Sequence, residues 1–118
     1  MSIHARLGIA VIVVAVVGAL LTLLARIRPS AVPSVRVFVR LCAAAAAVEA
    51  VIGLAMLAGG HRPAEAIHFF YGAATVIPIP AAEALARRTN PQAEMLYLLV
   101  GAVSTVLFGL RAVTTGST

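Results

Sequence analysis

LGIAVIVVAVVGALLTLLA, residues 7–25, contains no charged side chain and stops against Arg26, Arg28 and Pro29. A helix rises about 1.5 Å per residue and bilayer hydrocarbon is about 30 Å thick, so this stretch is long enough to cross. A secretory signal has an apolar stretch of about 7 to 15 residues and a small-residue cleavage site. Residues 7–25 exceed that length and are followed by arginines, so a retained transmembrane helix is expected.

The pattern repeats three times. A second apolar stretch follows Pro33 and Ser34, a candidate N-cap, and is interrupted only by Glu49 before Gly59 and Gly60. The third begins at Pro63 and carries Pro78 and Pro80 in its later half, which predicts a kink. Asn90 and Pro91 open the fourth as N-cap and first-turn residue. The expected helices are 7–25, 35–59, 63–86 and 91–113, with a polar tail to Thr118. Short links make successive helices neighbours. The fold class is therefore an all-α membrane protein, a single antiparallel up-down four-helix transmembrane bundle.

Composition agrees. Of 118 residues 62% are hydrophobic and 11% charged, with mean hydropathy +1.06, against roughly 25% charged residues in a soluble domain. All nine basic residues are Arg and all four acidic ones Glu, for a net charge of +5. The arginines sit at helix ends, with no basic run interleaved with aromatics, which excludes nucleic acid as a partner. Arg26, Arg28, Arg36, Arg40, Arg87 and Arg88 flank the first and third loops, against Arg6, Arg62 and Arg111 on the other side. The positive-inside rule then puts those two loops in the cytoplasm and both termini outside the cell membrane. The lone Cys42 allows neither an internal disulfide nor a CxxC site.

Sorting polar residues by depth gives three layers. His4, His61, Arg62, Glu65, His68 and Arg111 fall at the outer end. Glu49, Thr75 and Ser104 or Thr105 fall near the middle, and Thr22, Cys42, Glu83 and Tyr97 towards the inner end. His61, Glu65 and His68 fall at i, i+4 and i+7 and would share one helix face, which continues through Gly72 and Thr75. His and Glu can ligate metal, and His68, followed by Phe69, Phe70 and Tyr71, could bind haem b or hydrogen-bond a quinone. That cofactor set is His68, Tyr71, Glu65 and His61. The competing reading makes His61 and Arg62 a wet loop, Glu65 a cap on the third helix, and the rings an interfacial belt. Glu49 is costly in hydrocarbon and is expected to face the interior or to be protonated, as a polar clamp with Thr75 and Ser104, a proton-carrying or cation-binding carboxylate, or part of a ligand pocket. Gly101, Thr105 and Gly109 form a small-residue ridge suited to close helix packing, inside the chain or with another subunit. No nucleophile, base and orienter set is present, nor a phosphate-binding glycine loop.

VEAVIGLAMLAGG (48–60), AIHFFYGAATVIPIPAAEALARR (66–88) and RAVTTG (111–116) resemble small four-helix bacterial integral membrane proteins to which no activity is assigned. A second similarity is to one half-bundle of haem A synthase, in which a His entering a helix ligates haem b; His68 would match it. That family supplies a second His from its fourth helix, and none stands in 91–113 here. Small multidrug exporters share the size, but their acidic residue lies in the first helix. Three functions follow as expectations. The first is a non-enzymatic accessory or structural subunit of a membrane complex or homo-oligomer. The second is a haem b- or quinone-binding redox protein using His68, and the third a proton-coupled transporter using Glu49.

Overall fold

The computed structural model describes residues 3–63 and 65–116. Every regular element among them is helical: α1 (Ile3–Ile27), a 3-10 turn (Pro29–Ala31), α2 (Val32–Ala58), α3 (His68–Val76), α4 (Pro78–Ala86) and α5 (Pro91–Gly116). With α3 and α4 counted as one span, four helical spans are long and apolar enough to cross a membrane by length and composition. They form a bundle of 47 × 24 × 18 Å, whose long axis is close to the full thickness of a bilayer, about 40–45 Å.

Several expected boundaries move, each for a local reason. α2 begins at Val32, with Pro33 in its first turn; Ser34 lies inside the helix and makes no capping bond. At the other end Gly60 takes φ +91°, the left-handed conformation that closes a helix, and the amides of Gly60 and His61 donate to the carbonyls of Leu57 and Met56 at 3.0 and 2.9 Å. The third span does not start at Pro63. Residues 61–63 and 65–67 lie outside regular helix, and α3 starts at His68. Its break at Ile77 is the expected proline effect: Pro78 has no N–H to continue the ladder, while Ile77 itself keeps helical dihedrals (φ −78°, ψ −41°). Asn90 caps α5 as expected, its Oδ1 accepting from the Ala93 amide at 2.8 Å. α5 runs on to Gly116, and the last two residues of the expected tail lie outside the described residues.

The two ends of the bundle pack differently. At the arginine-rich end Val35, Val39, Cys42, Ile79, Met95 and Leu98 form a buried apolar core. Polar bonds close over it. Arg36 grips Glu94 with two hydrogen bonds of 2.7 and 2.6 Å, Arg40 donates to Glu83 at 3.1 Å, and Arg26 donates to the Gln92 carbonyl at 3.0 Å. Two parallel N–H···O bonds to a carboxylate are the strongest of these arrangements.

The small-residue ridge is filled from within the chain. A Cβ on Gly101 would come to 3.1 Å from both Ala82 Cβ and the Pro78 carbonyl oxygen, and one on Gly109 to 2.9 Å from Ile12. Thr105 is fully buried between them. The ridge is thus where α1, α3 and α4 approach α5, and it is covered before any second subunit could use it.

Candidate functional site

At the opposite end the spans separate around a cavity of about 330 Å³. Its wall is mostly apolar, and five ionisable groups from three spans and a loop reach it: His4 of α1, Glu49 of α2, His68 of α3, and His61 and Arg62 of the α2–α3 connection. Arg62 lies at its edge on an exposed stretch, and Thr75 adds a hydroxyl. Pockets of this kind, apolar with a few converging polar groups, hold small ligands.

His68 is held tightly. Its Nδ1 lies 2.7 Å from the Ala112 carbonyl oxygen, which can only accept, so Nδ1 carries a proton. α5 is pressed against the ring: a Cβ on Gly116 would meet His68 Cε1 at 2.7 Å. The loop is tied down beside it, the Glu65 amide donating to the Thr115 carbonyl at 3.0 Å. Thr75 donates its hydroxyl to the Tyr71 carbonyl at 2.7 Å.

Glu49 is not clamped to Ser104. Its Oε1 lies 2.5 Å from His4 Nδ1, with side-chain exposures of 14% and 21% that mark both as largely shielded. The approach falls outside hydrogen-bond alignment, leaving His4 Nδ1 and Glu49 Oε2 buried without an aligned partner. His4 also stands edge-on to His68, ring centroids 6.0 Å apart. Its ring packs on Gly53, where a Cβ would sit 3.0 Å from Cε1.

The expected cofactor set is therefore rearranged. His68 and His61 line the cavity. Glu65 and Tyr71 are not among its walls. His61 and Glu65 precede the helix, so the shared face with His68 does not form, and Glu65 makes no side-chain cap on α3. Tyr71 instead takes Arg111 over its ring at 5.4 Å and Phe70 at 5.3 Å. Of the aromatic run only Phe69 reaches the cavity. Thr75 joins Glu49 in the wall and Ser104 does not. Sequence reasoning put His4 at the outer end but missed its pairing with Glu49. The available signal was that α1 starts only a few residues before Gly8, so its first turn falls beside Glu49 and Gly53 once α1 and α2 pack. Among the described residues no group of three or more His, Cys, Asp or Glu side chains is arranged to hold a metal ion. No protein-family model, curated protein or solved structure matches the chain.

Proposed function

We propose that the chain is a multi-pass protein of the cell membrane that binds, without transforming it, a small membrane-dissolved ring compound of the quinone class in the histidine-lined cavity. The observation that carries this reading is the convergence of His4, Glu49 and His68, from three separate spans, on one largely apolar cavity. Isolated polar residues in membrane helices are expensive, and the gathering of the His4–Glu49 pair and His68 beside one apolar space supports a ligand site.

In this reading the spans run alternately up and down. The pairings Gly18–Cys42 and His4–Glu49 between α1 and α2 support this, as do Gly109–Ile12 with Val113–Gly8 between α5 and α1, and Thr105–Thr75 with His68–Ala112 between α5 and α3. In each, residue numbers rise on one helix as they fall on the other. The arginine-rich end faces the cytoplasm, and the cavity opens towards the outer leaflet, where a membrane-dissolved ring can enter sideways.

A haem draws less support. His4 and His68 touch edge to face, and His4 turns its Nδ1 to Glu49 and its Cε1 to Gly53, so the pair leaves no slot for a porphyrin with an iron between two ring nitrogens. The accessory-subunit reading loses its main surface, because Gly101, Thr105 and Gly109 are covered within the chain.

The test is organic extraction and mass spectrometry of protein purified in mild detergent, with a visible spectrum of the same sample. Wild type should carry about one quinone-class molecule per chain. Gly72→Leu should lose it, since nothing lies within 4 Å of a Cβ at Gly72 and the new side chain grows into the cavity it lines. No such molecule in wild type, or equal amounts in both proteins, would sink the reading.

A further inference from the structure

We infer that the arginine-rich end carries a second site, a polar hollow that holds the phosphate of an anionic phospholipid between Arg40 and Arg87. The hollow, of about 380 Å³, lies where α2, α4 and α5 come together and shares no residue with the histidine-lined cavity. Arg36 and Arg40 of α2, Glu83 of α4, Arg87 just after α4 and Glu94 of α5 line it. Where the first cavity is walled mostly by apolar side chains, this one is walled by charge.

Its guanidinium groups are unequally used. Arg36 spends two nitrogens on the two oxygens of Glu94, at 2.7 and 2.6 Å. Arg40 gives only its Nε to Glu83 Oε1, at 3.1 Å, so its two terminal nitrogens stay free. Arg87 is exposed, and among the described residues its guanidinium has no hydrogen-bond or ion-pair partner. Two elements thus bring unspent donors to one hollow, and a guanidinium meets phosphate oxygens through two parallel bonds. The charge points the same way. Arg26, Arg28, Arg36, Arg40, Arg87 and Arg88 stand at this end against Glu83 and Glu94, so even with both glutamates ionised four positive charges remain in excess.

Depth and surroundings select a lipid over a dissolved phosphate. Arg40 stands eight residues beyond Val32, the start of α2, or about 12 Å along the helix. Its long side chain therefore works at the boundary between headgroups and hydrocarbon. Val37 and Leu41, next to Arg36 and Arg40 on α2, are 56% and 62% exposed, and Leu85 of α4 is 68% exposed. The α2 strip continues through Val48 and Val51, which share the helix face of Val37 and Leu41 and are also exposed. A phosphate in the hollow thus has apolar surface beneath it along which acyl chains can lie. Basic pockets between membrane helices bind acidic headgroups in this way. A dissolved anion gains nothing from those side chains.

The test is competition, read by native mass spectrometry of the full chain in neutral detergent, between phosphatidylglycerol and phosphatidylcholine with identical acyl chains. Wild type should retain one phosphatidylglycerol, preferred about tenfold or more over phosphatidylcholine, whose choline meets the positive excess. Arg87→Gln breaks no side-chain bond, so it should fold as wild type does and shrink the preference about fivefold, the equivalent of about 1 kcal/mol for one arginine near an anionic surface. Arg40→Gln/Arg87→Gln should abolish the preference. Arg28→Gln/Arg88→Gln removes the same charge from exposed side chains outside the hollow and should keep most of it. Equal losses in the two double variants would reduce the attraction to a diffuse field and overturn the site. A preference absent from wild type, or untouched by Arg87→Gln, would overturn it too. Displacement of the lipid by inorganic phosphate at comparable concentration would assign the hollow to a dissolved anion and overturn the lipid.

Discussion

Replacing Gly101 tests the seam that closes the bundle. Its Cβ position lies 3.1 Å from the Pro78 carbonyl oxygen, 3.1 Å from Ala82 Cβ and 3.3 Å from Ile79 Cα, while comfortable carbon contacts begin near 3.5 Å. Two of these atoms are backbone and cannot rotate aside, so Gly101→Ala forces α4 back by a few tenths of an ångström. In water the gain in helix propensity, about 1 kcal/mol, would offset that. In lipid it does not, because an unpacked span must stay helical to pair its backbone groups, and the propensity then favours both states alike. Gly101→Ala should therefore destabilise by about 1 kcal/mol and Gly101→Leu, with three more carbons at a seam that has no room, by about 3 kcal/mol. Gly72→Ala, into open space, should stay within about 0.5 kcal/mol of wild type. The assay follows thiol labelling of Cys42, 1% exposed in the core, as sodium dodecyl sulfate is added to mixed micelles. If Gly101→Leu protects Cys42 to the same detergent fraction as wild type, or Gly101→Ala protects it further, α4 does not pack on α5 as described.

The two ion pairs at the arginine-rich end should separate in the same assay. Glu94→Ala removes a two-point bond whose side chains are 30% and 18% exposed and should cost about 2 kcal/mol, between the surface and buried cases. Glu83→Ala removes a single bond to an Arg40 side chain that is 59% exposed and should cost less than about 1 kcal/mol; the reverse order would contradict the network. Orientation is checked in a Cys42→Ala background, where a membrane-impermeant maleimide on intact cells should label Arg62→Cys and spare Ser30→Cys. The opposite labelling would invert the topology.

Much of the architecture was legible because bilayer physics constrains it locally. A run such as residues 7–25 must be helical to satisfy its backbone in lipid, Pro78 must interrupt its own helix, and Asn90 must find the amides of the turn that follows it. None of these depends on a distant part of the chain. The gathering of histidines at one end also follows from helix lengths alone. What the sequence could not determine is where helix becomes loop between Gly60 and His68, because that segment trades an intrahelical amide bond at Glu65 for one to Thr115, fifty residues away in the chain.

The site itself depended on such long-range choices. Glu49 was recognisable as a residue needing a partner, but Thr75, Ser104 and His4 were all within reach by depth. Only the close approach of α1 to α2, with the His4 ring against Gly53, selects His4. The same holds for His68, whose Nδ1 proton is held by a carbonyl of α5, and for Tyr71, which helix rotation turns away from the cavity and towards Arg111. Amino-acid order by itself determined four spans long and apolar enough to cross a membrane, their proline break and the separation of arginines from histidines, because each is a property of the local sequence of one helix. The partner of every polar group in the cavity was decided by tertiary structure, because rotation and offset of helices are set by how their side chains interlock.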